Sequence, residues 1–201
     1  MSNQNNLAVY GLKFEIDIIG RTVFDMSKIM GKGWPKGFPE KIHEDDQRIV
    51  QFKKPIMNKD RKFLNKAGFV VIHSILKMPV FSKNEKVTGI LTFSFDSTRA
   101  ENIFSLKSIY DCLYAHDANI GNIKFMEFIG FEQGIQAKLS KIQMDALLSK
   151  CQYIGQKSAA NHLGKSPKTL EKLLAKAKEK LGVYNINIVI EDLIQLTHTR
   201  K

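Results

Sequence analysis

Cysteine is almost missing from this chain of 201 residues: only Cys112 and Cys151 occur, far apart in sequence. That spacing excludes a metal knuckle or a redox dithiol, so both read as small buried hydrophobes in a reducing compartment. Long apolar runs are missing too, and none approaches the ~18 residues of a membrane span. Met1 to Asn6 is polar and lacks the apolar centre of a secretory signal. The expectation is a soluble, cytoplasmic protein without membrane association. No P-loop, dinucleotide fingerprint or nucleophile–base motif occurs, which leaves an enzyme without support. Histidines 43, 73, 116, 162 and 198 show no zinc-ligand spacing. No metal and no cofactor is expected.

Acidic residues are in deficit, 20 against 31 Lys and Arg, for a formal net charge of +11. The excess is uneven. Residues 1–100 carry 17 basic and 10 acidic side chains, residues 101–138 carry 3 and 5, and residues 139–201 carry 11 and 5. The last segment is the shorter of the two basic ones and the more densely charged, which suits a polyanionic partner.

Patterning divides the chain into three regions. In residues 1–99, Phe69 to Lys77 and Thr88 to Asp96 are β-branched and aromatic, and the polar stretch Ser82 to Lys86 lies between them. An antiparallel hairpin is expected there. Gly31 to Pro39 is dense in glycine and proline and is expected to be irregular, with Trp34 a packing anchor. The run Glu44-Asp45-Asp46 is expected at a helix start, where the macrodipole favours acidic groups, and not as a catalytic cluster. Residues 100–138 read as a helical linker. Ile103, Phe104, Leu106, Ile109, Tyr110 and Leu113 recur at helical spacing, while Gly121, Gly130 and Gly134 argue against one continuous helix over residues 119–138.

Residues 139–201 carry the strongest signal. Ser140 and Gln143 form a capping box, with Leu139 and Met144 at staple spacing, so a helix should run to about Cys151. A short alanine-rich helix fits Gln156 to Leu163, and a tight turn fits Gly164-Lys165 after it. Ser166 then suits an N-cap and Pro167 the first helical position, and Gly182 ends a third helix after Leu181. At 100° per residue, Leu170, Leu173, Leu174, Ala177 and Leu181 share one stripe of that helix. Lys168, Lys172, Ala175, Lys176 and Glu179 face the other way. Lysines around a small residue suit a major groove, although a merely solvated face has the same pattern.

The segment Leu139 to Leu196 resembles the LuxR/GerE-type DNA-binding domain, a four-helix unit with a helix-turn-helix. The matching residues are Leu139-Ser140, Leu147-Leu148, Ala160, Leu163-Gly164, Ser166, Lys168-Thr169-Leu170 and Lys180-Leu181-Gly182-Val183. Gln143, Ala159, Leu173 and Glu171 depart from the family's usual Glu, Ile, His and basic residue. The resemblance implies that Lys168 and Thr169 hold phosphates while Glu171, Lys172 and Ala175 face base edges, with Lys176 on the same face. It also implies a dimer surface on the last helix, Ile186 to Leu196, through Ile186, Ile190, Leu193 and Ile194.

Further upstream, Asp17 to Met26, Ile42 to Asp46, Lys77-Met78-Pro79-Val80 and Thr88 to Thr98 come in the same order as in the later part of a PAS domain. Leu7 to Thr98 resembles that family. The resemblance implies two further strands ahead of the region matching Asn5 to Gly11, which this sequence does not contain. Either the domain is truncated, or another element or a partner subunit covers the exposed sheet edge; no bound small molecule is expected.

The fold class expected is α+β: a PAS-like antiparallel-sheet domain followed by an all-α LuxR-type helix-turn-helix domain. The expected function is transcription regulation, with double-stranded DNA as partner and a homodimer formed through the PAS-like domain, the last helix or both. The rival reading is a protein-interaction module whose helix-turn-helix has lost its affinity for DNA.

Overall fold

The computed structural model describes residues 4–198. The chain is α+β and divides into two compact units, one ending at Arg99 and the next beginning at Ala100. In the first, helices α1 (Gln4–Val9), α2 (Val23–Met30) and α3 (Phe38–Phe52) precede three strands, β1 (Ile56–Leu64), β2 (Val70–Phe81) and β3 (Val87–Asp96). The sheet is antiparallel in the order β1-β2-β3, so β1 and β3 are its edges.

The expected hairpin is β2–β3. Met78 stands opposite Leu91 and Leu76 opposite Phe93. The turn closes through bonds from the Ser82 amide to the Lys86 carbonyl and from the Glu85 amide to the Ser82 carbonyl. Both strands outrun the expected ranges, and β2 even includes Pro79. Pro79 is tolerated because β1 reaches only as far as Lys77, leaving β2 open on that side. Beyond β3, Asp96 Oδ1 accepts from the Thr98 amide at 2.8 Å and hydroxyl at 2.5 Å, and Thr98 Oγ1 accepts from the Ile72 amide at 2.8 Å. The Asp-x-Thr sequence thus pins the end of the sheet.

Two expectations need correction. Gly31 to Pro39 is not wholly irregular: Gly31–Gly33 forms a 3₁₀ turn, and Phe38 and Pro39 already open α3 behind the left-handed Gly37. Consequently Glu44-Asp45-Asp46 lies in the middle of α3 and not at its start. Asp45 is buried, accepting from Arg61 Nη2 at 2.6 Å and Asn58 Nδ2 at 2.5 Å, and Asp46 pairs with Lys77. The acidic run fastens α3 to the sheet. Strand β1 has no alternating apolar pattern, and its charged sequence hides a bulge between Asn58 and Arg61, with Asp60 at φ 58°. Trp34 is the expected packing anchor, buried with Met26, Met30, Phe63 and Val71 and edge-on to Tyr10 and Phe38. The sheet's other face leaves Met57, Leu91, Phe93 and Phe95 exposed.

The second unit consists of helices α4 (Ile103–Leu113), α5 (Ala118–Ile129), α6 (Glu132–Gln136), α7 (Lys141–Gln152), α8 (Gln156–His162), α9 (Pro167–Leu181) and α10 (Ile186–His198). Residues 100–138, expected as a linker, pack as part of this unit. Asn122 of α5 is buried and donates from Nδ2 to the Leu139 carbonyl at 2.9 Å, holding the entry to α7. Tyr110, Phe125, Met126, Met144, Leu147, Leu170 and Leu193 are fully buried and line one continuous run of helices. Gly130, at φ 72°, turns the chain between α5 and α6 in a conformation where glycine meets no Cβ penalty.

Candidate nucleic-acid interface

Helices α7, α8 and α9 meet through small residues. Ala146, Ala159 and Ala160 are completely buried with Leu170, so the helix backbones approach closely, and Ser149 Oγ donates to the Ala159 carbonyl at 2.7 Å. At the start of α7, Gln143 Oε1 accepts from both the Ser140 amide (2.9 Å) and hydroxyl (3.1 Å), tying side chain to cap. The α9 start is fixed in the same local way. Ser166 Oγ accepts from the Thr169 amide at 3.2 Å, and Pro167 occupies the first turn, where no amide is missed. Gly182, at φ 64°, ends the helix.

These contacts settle which face of α9 is free. Leu170 and Ala177 are fully buried, with Leu173 and Leu174 partly so. Lys168, Glu171, Lys172, Ala175 and Lys176 are exposed. Thr169 is half-buried, and its hydroxyl lies 2.9 Å from Ser166 Oγ within the cap. Lys168, Lys172 and Lys176 form no ion pair or hydrogen bond among the described residues. Glu171 does have a partner, Gln156 at the start of α8, whose Nε2 lies 2.6 Å from Oε1. Lys180 is engaged elsewhere, donating to the Lys138 carbonyl at 3.0 Å. The stripe from Lys168 to Lys176 is about 12 Å long at 1.5 Å per residue, comparable with the about 12 Å width of the B-DNA major groove.

The last helix differs from expectation. Ile190 and Leu193, assigned to a dimer surface, are buried in the unit's own core with Val189, and Ile186 and Ile194 are partly covered. Among the described residues of α10, only Ile188 is an exposed large apolar side chain. The apolar stripe serves α7 and α9 instead, and Cys151 Sγ reaches the Ile190 carbonyl at 3.7 Å. Burial pushes the Cys151 thiol up to about 12, which disfavours its thiolate form.

One cluster went unnoticed in the sequence. Lys107 of α4 bridges Asp111 (2.7 Å) and Asp145 of α7 (3.0 Å), and Lys141 bridges the same two carboxylates at 3.1 and 2.8 Å. Burial would pull the Lys141 ammonium down, but its bonds to Asp145 and Asp111 outweigh that and hold it above the ordinary lysine value. The Lys107–Asp111 and Lys141–Asp145 spacings of four are legible as helix pairs; their closure into one ring requires the packing. The Gln156–Glu171 pair has no local signal at all. Among the described residues no group of three His, Cys, Asp or Glu could hold a metal ion, and no helix is long and apolar enough to cross a membrane.

No family model matches the chain, and no curated protein matches it. Among the solved structures it is similar to are several of VqmA, which is grouped with LuxR-type receptors. For the Vibrio cholerae VqmA–ligand–DNA complex the identity is 20% and the TM-score 0.45, over 98% of this chain and 75% of that one. VqmA bound to DPO gives 20% and 0.39, over 98% and 74%. The Vibrio cholerae VqmA dimer without target DNA gives 18% and 0.41, over 98% and 76%.

Proposed function

We propose that this chain binds double-stranded DNA with α9 in the major groove, as a transcription regulator whose first unit controls a LuxR-type helix-turn-helix. One observation carries the reading: Lys168, Lys172 and Lys176 stand together, exposed and unpaired among the described residues, opposite the buried leucine stripe of a helix held by its caps. Unneutralised ammonium groups attract phosphates, and the helix that carries them needs no further backbone ordering on binding. In this reading Lys168 and Thr169 approach phosphates, while Glu171, Lys172 and Ala175 face the base edges, with Lys176 further along the groove. The first unit is a PAS-like sensor domain. The homodimer forms through that unit, because α10 has turned its apolar residues inward whereas Met57, Leu91, Phe93 and Phe95 remain exposed on the sheet. That apolar face is also what favours the second reading, a protein-interaction module.

The test is anisotropy with preferred and scrambled duplexes over a range of salt. Lys168→Ala weakens all duplexes alike and flattens the log–log salt slope by about one unit. Lys172→Ala costs about 1–3 kcal/mol on the preferred site and relaxes discrimination there. If the folded wild-type dimer binds neither duplex at low salt, the DNA reading gives way to the interaction module.

A further inference from the structure

Glu171 is the only acidic side chain in the first two turns of α9, on a face otherwise suited to phosphate. A free glutamate there would be mobile and repel the duplex, and one paired to lysine would be neutralised. The structure shows neither. Its Oε1 takes a hydrogen bond from Gln156 Nε2 at 2.6 Å, both groups exposed, and no cation pairs with the carboxylate among the described residues. A neutral amide restrains the side chain and leaves its charge whole. Oε2 carries no hydrogen bond among the described residues and stays open as an acceptor, with the small Ala175 one turn further along the helix.

We infer that Gln156 is a positioning residue for base readout: it holds Glu171 as a fixed acceptor toward the groove and so favours a base that presents an amino donor there, cytosine first. Cytosine N4 is the major-groove partner that a carboxylate satisfies without a competing acceptor, whereas guanine offers O6 and N7, which repel it. Ordering the side chain before binding removes part of the entropic cost of reading that base. The two helices of the motif thus share one contact: α9 supplies the reading group and α8 its orientation. This inference rests on the DNA-binding reading above.

The experiment uses the full chain as wild type, Gln156→Ala, Gln156→Glu, Glu171→Ala and the double variant Gln156→Ala/Glu171→Ala. Gln156→Glu keeps the side chain's size but turns its donor into a like-charged carboxylate, whereas Gln156→Ala removes the donor without adding charge, so the two together separate the hydrogen bond from volume and from charge. Circular dichroism and thermal unfolding establish that each is folded. Each protein selects from a pool of duplexes with a randomised centre, and anisotropy then measures the best duplex and its single-base variants. Gln156→Ala and Gln156→Glu should lose preference at the same base pair as Glu171→Ala, by about tenfold. The double variant should lose no more than Glu171→Ala alone. Affinity for scrambled duplexes should stay at the wild-type level in Gln156→Ala and rise in Glu171→Ala. Wild-type discrimination in both Gln156 variants, or a loss spread evenly over all positions, overturns the inference and leaves the DNA reading standing. Absence of wild-type binding to every duplex overturns both.

Discussion

Replacing Lys107 with methionine should destabilise the second unit by about 3 kcal/mol. Methionine keeps much of the unbranched stem, so the change isolates the ammonium group. In the native chain that group lies 2.7 Å from Asp111 and 3.0 Å from Asp145, on a side chain only 5% exposed. Its removal leaves two carboxylates facing each other with Lys141 alone between them. Breaking a buried pair by deleting one partner costs about 3–5 kcal/mol because the other charge stays buried. The remaining lysine and the carboxylates' partial access to water place the loss at the lower end. Lys141 touches the same carboxylates but is 38% exposed, so Lys141→Met should cost only about 1 kcal/mol. Urea denaturation followed by far-ultraviolet circular dichroism reports mainly the second unit, the more helical of the two, and fluorescence of the single Trp34 follows the first unit, whose three helices also contribute to the dichroism. Equal losses for the two lysine variants, or a Lys107→Met loss under about 1 kcal/mol, would refute the ring as a buried, interdependent network.

Gly121→Ala should destabilise even though alanine is worth about 1 kcal/mol over glycine inside a helix. The added Cβ would stand 2.5 Å from Tyr114 Cβ, which cannot swing away, and overpacking costs about 1–3 kcal/mol, so a thermal midpoint at or above wild type contradicts the packing described. Gln143→Ala should cost more than Ser140→Ala, each on the order of 1 kcal/mol, because the buried glutamine satisfies both the amide and the hydroxyl of the cap; a reversed order in urea midpoints counts against it. Burial holds the His73 imidazole below its ordinary value, with Asp96 pulling the other way. The folded form therefore binds fewer protons than the unfolded one, and stability is lost as pH falls below about 6.5. Trp34 fluorescence at neutral and mildly acidic pH should show that loss in the wild type and a shallower one in His73→Asn; equal slopes would exclude His73 as its source.

What the sequence by itself determined are the features whose physics is local. Ser140 with Gln143, Ser166 with Pro167, and Gly182 set the limits of α7 and α9 because a cap acts within one turn of the backbone it satisfies. The β2–β3 hairpin was legible because two apolar, β-branched runs flank a short polar turn. Tertiary structure decided everything that depends on a distant partner. Strand β1 carries too many charges to read as a strand; it is formed by pairing with β2 and by burial of Phe63 and Leu64, while Asp45, sixteen residues away, receives Arg61. The same partnership, with a helix that starts at Phe38, puts the acidic run in mid-helix. The apolar stripe of α10 fits a dimer surface and a core equally well by periodicity, and only the presence of α7 and α9 beside it made Ile190 and Leu193 core. Glu171 reads as a charge without a partner until α8 and α9 are packed, when Gln156 Nε2 comes within 2.6 Å of its carboxylate. Caps and periodicity act over a few residues and survive in the bare sequence, whereas charge pairing and burial are properties of surfaces that exist only once the chain has folded.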